Sequence, residues 1–161
     1  MVWQGAGSGL NRDQLSDRQD VSQMKYLLDT GPLVAFLNSR EKNSTLRHWA
    51  VETLSSLRWP LYTCEAVLTE AGHFLGDPLP LVEMVDAGEL VVPFFLSDQT
   101  QGVARIIGAY HGRRVSLADA CLVRMAELWQ DSTVLTIDSN DFAVYRRFGK
   151  DSVRFAAPPK A

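Results

Sequence analysis

Asp29, Glu70, Asp119, Asp138 and Asp141 are the side chains of this 161-residue sequence whose type and setting allow chemistry. Asp29 closes the apolar run "KYLLD" and Asp138 closes "TVLTID", each just before a predicted helix. An acid at such a turn has two uses: it caps the helix, or it is presented to a ligand. Glu70, in "CEAVLTEAGHFL", shares a helix side with Val67, Ala71 and Phe74, a poor place for a plain solvated charge. The competing reading makes it the edge residue of an amphipathic helix, with Glu65 at that helix's start serving the dipole. Asp119 follows Ser116 in an S-x-x-D capping pattern, "SLADACLVRMAE". From the first helical turn it also points back toward the sheet edge where Asp29 and Asp138 end. Asp141 is either a cap of the last helix or a fifth member of the same group.

Four carboxylates brought together need a counter-charge, because one pair about 4 Å apart repels by roughly 4 kcal/mol at an effective dielectric near 20. The set contains no histidine or cysteine. Hard oxygen ligands of this kind select Mg²⁺ or Mn²⁺ over zinc or copper. Water bound to such an ion is a nucleophile suited to phosphodiester hydrolysis, so the residues point to a nuclease.

Positioning these acids requires strands that alternate with helices. Apolar, β-prone segments fall at 25–29, 60–64, 90–95, 133–138 and 153–156. Helical periodicity fills 31–38, 44–57, 65–75, 79–87, 97–111, 117–130 and 140–147. The alternation predicts an α/β fold, a three-layer α/β/α sandwich with a mostly parallel central sheet. In such a sheet the ligand site lies beyond the carboxyl ends of the strands, where strand order reverses. Leu117, Ala120, Cys121, Val123, Leu128 and Trp129 read as core.

Residues 1–23 are rich in Gly, Ser, Gln, Asp and Arg and read as a disordered leader or upstream extension, with Met24 as an alternative start. Residues 24–157 read as one folded domain and 158–161 as a tail. The composition, 46% hydrophobic and 22% charged, is that of a soluble globular protein, and no apolar run reaches the roughly 20 residues of a membrane span. Cys64 and Cys121 lie in apolar contexts, as buried thiols do in a reducing, cytoplasmic compartment. His48, His73 and His111 lack metal-ligand spacing. The net charge of −3 gives no global footprint for nucleic acid. Local cations do occur beside the acids: Arg113 and Arg114 precede Asp119, and Arg146, Arg147 and Lys150 follow Asp141. They read equally as phosphate contacts or as a charge-balancing solvated face.

Four motifs, "YLLDTGPLVAFLN", "LTEAGHFL", "SLADACLVRMAE" and "VLTIDSNDF", in this order, carry a resemblance to the PIN-domain ribonucleases, most closely the VapC-type toxins of bacterial toxin–antitoxin pairs. The resemblance spans residues 24–157. It implies a catalytic set of Asp29, Glu70, Asp119 and Asp138. Asp29, Asp119, Asp138 and Asp141 would hold one or two Mg²⁺ or Mn²⁺ ions for hydrolysis of RNA. Thr30 and Thr136 resemble hydroxyls that position the carboxylates. A small antitoxin and a second copy of the chain are the implied partners, with Leu46, Trp49 and Leu57 offering either a dimer surface or ordinary core. A catalytically idle PIN module that binds RNA or a protein is the alternative. A phosphotransfer enzyme with Asp29 as nucleophile would want a second acid where Gly31 stands.

Overall fold

The computed structural model describes residues 23–40 and 44–160. The expected leader therefore lies outside the described residues, save for Gln23. Five strands form the central sheet: β1 (Lys25–Leu28), β2 (Leu61–Tyr62), β3 (Leu90–Val91), β4 (Ser132–Leu135) and, last in the chain, Phe155–Ala156. Arg146–Arg147 and Asp151–Ser152 pair antiparallel as a separate hairpin; in chain order these are β5 and β6, and Phe155–Ala156 is β7. The sheet order is β3-β2-β1-β4-β7, and every neighbouring pair runs parallel. From β1 the chain builds outward through β2 and β3, then returns to lay β4 on the other side. The reversal of strand order thus falls between β1 and β4, with Leu28 level with Leu135.

That central position explains the composition of the two strands. Leu27, Leu28, Val134 and Leu135 are buried, as a parallel strand covered on both faces requires. The covering layers are α1 (Thr30–Leu37), α2 (Thr45–Ser56), α3 (Glu65–Leu75), α4 (Leu79–Asp86), α5 (Leu96–Ala109) and α6 (Leu117–Leu128), with a single turn, α7 (Ser139–Phe142), after β4. Helix α1 packs on α2 and α3, α3 on α6, and α6 on α5. Arg47 ties α1 to α2 by donating to the carbonyls of Ala35, Phe36 and Asn38 at the end of α1, where the helix dipole favours a cation. Helix α6 is buried along most of its length, from Ala118 through Glu127 apart from Asp119 and Arg124. None of the helices among the described residues is long and apolar enough to cross a membrane.

The expected elements all occur, with shorter strands and some corrections. The helix expected over 140–147 ends at Phe142. Its continuation is prevented where the Arg146 guanidinium takes the Ala143, Val144 and Tyr145 carbonyls and the chain enters the hairpin. Phe148 (φ 53°) and Gly149 (φ 74°) make the sharp turn. Leu117 and Leu128, read as core, sit exposed at the two ends of α6, where a terminal helical turn has one side open to solvent. Leu46, Trp49 and Leu57 are partly buried and pack against the core.

Candidate active site

The carboxyl ends of β1 and β4 open into a cleft of about 470 Å³, within the range of small-ligand sites. Asp29, Thr30, Glu70, Asp119, Asp138 and Asp141 line it, together with Arg114 and Ser116. The five acids come from four separate stretches of chain, brought together by the strand crossing.

Asp29 is the most constrained of them. Its backbone is extended at the end of β1, and its Oδ1 accepts the Thr30 N–H at 2.7 Å, capping α1. Capping therefore accounts for one oxygen. The other, Oδ2, accepts from Thr136 Oγ1 at 2.6 Å. The same hydroxyl oxygen accepts the Asp138 N–H at 3.0 Å, so one threonine joins both strand ends. Thr30 serves the next acid, its Oγ1 donating to Glu70 Oε2 at 2.9 Å. Val67 and Ala71 on that side of α3 are buried, whereas Phe74 is 68% exposed. The inward side predicted for Glu70 therefore opens at Phe74 into the cleft.

At the start of α6 the capping pattern is half used. Ser116 Oγ accepts the Asp119 N–H at 3.0 Å, but the Asp119 carboxylate instead takes the Tyr145 hydroxyl, at 2.9 Å on Oδ2. Tyr145 is fully buried, with its ring edge-on to Tyr110 and Phe142. Sequence reasoning missed it. The available signal was its spacing from Phe142 in "DFAVY", since a tyrosine buried on an apolar face needs a partner for its hydroxyl. Burial and the charge of Asp119 raise the Tyr145 pKa, so the hydroxyl stays a donor. Asp138 Oδ1 accepts the Asp141 N–H, and Asp141 Oδ1 meets Arg113 at 3.3 Å.

Electrostatically the cleft is under-compensated. Burial raises the pKa of Asp29, and although Thr136 and Thr30 oppose this, the charges of Glu70 and Asp138 add to it. Asp119 is pushed up to about 6, by burial and then by the charge of Asp29, with Tyr145 opposing. Asp141 is raised by burial and by Asp138, against the pull of Arg113. Carboxylates that raise one another in this way are stabilised by a cation among them. The donor set, entirely oxygen, suits Mg²⁺ or Mn²⁺. Among the described residues no three acidic, histidine or cysteine side chains are already drawn into one coordination shell. The acids line the cleft walls, so the fit lies in donor chemistry and charge.

Of the four arginines expected near the acids, Arg114 lines the cleft and Arg113 pairs with Asp141. Arg146 and Arg147 do not join them. Arg146 spends its guanidinium on the carbonyls after α7, and Arg147 donates to Gln130 O at 3.1 Å. Neither of them lines the cleft.

Two comparisons with known proteins place the chain in a family. Ribonuclease VapC26 of Mycobacterium tuberculosis (strain ATCC 25618 / H37Rv) is 25% identical over 130 residues, covering 76% of this chain and 93% of that protein. The sequence model of the PIN domain matches residues 26–147, a span that holds all of β1 but Lys25, all of β4 and all five acids of the cleft. The chain belongs to the PIN domain family.

Proposed function

We propose that the protein is a divalent-metal-dependent endoribonuclease that hydrolyses RNA phosphodiesters, and that it is the toxin of a type II toxin–antitoxin pair. The observation that carries this reading is the gathering of five carboxylates on one cleft at the strand-order reversal. The relative named Ribonuclease VapC26 supports the substrate class.

Asp29, Asp119, Asp138 and Asp141 are the residues to hold Mg²⁺ or Mn²⁺. When bound, the ion supplies a water of lowered pKa and neutralises charge on the phosphate. The chain's own contribution is orientation. Thr136 fixes Asp29 and the backbone of Asp138 together, and Tyr145 fixes one oxygen of Asp119. Glu70 is held through Oε2 by Thr30, which leaves Oε1 to accept a proton from the attacking water. Arg114, a cation of the cleft wall, meets the substrate phosphate. A scaffold that only bound RNA would gain nothing from such support behind its acids. A small antitoxin that covers the cleft, and a homodimer, complete the assembly in a cytoplasmic setting.

The test is cleavage of single-stranded RNA by the full chain with Mn²⁺, with a chelator, and as Asp29→Asn. Cleavage confined to the metal-loaded wild type is expected. Equal cleavage in all three samples contradicts the proposal.

A further inference from the structure

The acids occupy only part of the cleft, and beside Thr30, Arg114 and Ser116 the rest of its lining is apolar. Phe74 follows Glu70 by one helical turn on α3, so the two side chains emerge as neighbours. Its ring is 68% exposed and meets His73 edge-on at 5.6 Å between centroids. Ile137, 42% exposed, stands between Thr136 and Asp138. It lies directly over Gly31, where an added Cβ would come within 2.5 Å of Ile137 Cγ1. Gly31 thus allows Ile137 to rest on the first turn of α1, between the two strand-end acids. Leu46 completes the wall.

Metal binding and phosphate hydrolysis use none of these side chains. An exposed ring and an exposed branched chain beside an ionic centre suit a ligand with a flat apolar face next to its charge. Every phosphate of RNA carries a nucleoside directly on each side, and an unpaired base stacks on an aromatic ring. In a duplex the base faces are already covered by their neighbours.

We propose that Phe74, with Ile137 and Leu46, forms a subsite for one unpaired nucleobase adjoining the phosphate held at the acids. The inference rests on the ribonuclease reading above. Arg114 and the acids handle the phosphate, while the apolar wall fixes the register of the strand.

The experiment compares the wild type, Phe74→Ala and Phe74→Trp on a short mixed-sequence RNA, single-stranded or annealed to its complement, in Mn²⁺. Mn²⁺ binding to each protein is followed by calorimetry. Phe74→Ala is expected to raise KM for the single strand roughly tenfold, Phe74→Trp to restore it, and Mn²⁺ affinity to stay the same in all three. Wild-type cleavage with KM unchanged in Phe74→Ala overturns the subsite alone, including where that variant instead weakens the hold of a protein partner. So does equal cleavage of single strand and duplex. Mn²⁺ binding without cleavage of either RNA overturns the ribonuclease reading, and the subsite with it.

Discussion

Helix α6 carries a carboxylate in its first turn and another in its last, and the protein treats them in opposite ways. Asp119, at the favourable end of the helix dipole, nonetheless has its pKa raised to about 6 by burial and by the charge of Asp29. Glu127, at the unfavourable end, has a fully buried side chain. Burial alone would lift its pKa, but Arg105, the Phe148 N–H and Arg124 more than reverse that and hold it below the ordinary value. Arg124 donates at 2.7 Å and Phe148 N–H at 2.7 Å, while Arg105 reaches both oxygens. One acid has been neutralised by the fold. The other has been set among like charges with a single hydroxyl for support. Burial of a charge thus marks structure when its partners are supplied by the chain, and a ligand site when they are withheld.

The comparison breaks most readily at Glu127. Glu127→Gln leaves Arg105 and Arg124 without their counter-charge and the αL backbone of Phe148 with a weaker acceptor. A loss of about 2 kcal/mol in urea unfolding is expected, since both arginines keep part of their hydration, with no change in Mn²⁺ affinity. The pH sign follows from the same shift. Because the folded-state pKa lies below the ordinary 4.5, the stabilisation is complete above that value and is lost as pH falls through the folded one. The wild type should therefore lose stability on acidification below about 4.5 more steeply than Glu127→Gln. Parallel curves would show that Arg105, Arg124 and the Phe148 N–H do not hold Glu127 below its ordinary pKa.

A smaller effect is expected at the other end of the helix. Tyr145→Phe removes only the hydroxyl that holds Asp119 Oδ2 and should weaken Mn²⁺ binding by about tenfold in calorimetric titration, the size seen when a ligand loses its supporting hydrogen bond. Unchanged affinity would make Tyr145 a core residue and nothing more.

The same contrast explains what could be read from the sequence. Strands β1 and β4 were legible because they lie at the centre of a parallel sheet and carry apolar residues to their ends, with Asp29 directly after β1 and Asp138 three residues after β4. Thr30 and Thr136 were legible by adjacency. The hairpin was not, because its strands, Arg146–Arg147 and Asp151–Ser152, hold no apolar residue and its turn places a phenylalanine at positive φ. Glu127 reads from sequence as an ordinary polar position, since Arg105 reaches it only through the packing of α5 on α6. Tyr145 was hidden for the same reason: its partner lies 26 residues away, and only the fold joins them. That Arg146 and Arg147 lie outside the cleft was not legible, because proximity to acids in sequence says nothing about which carbonyls a guanidinium will find.

The central claim is that the carboxylates at the strand ends await a cation. Thermal unfolding of the wild type and Asp119→Asn, without metal and at increasing Mn²⁺, tests it directly. The wild type should gain about 2.7 kcal/mol once free Mn²⁺ reaches about 100 times its Kd, while Asp119→Asn gains far less at the same concentration. An equal gain in the variant, or none in the wild type, would contradict the account.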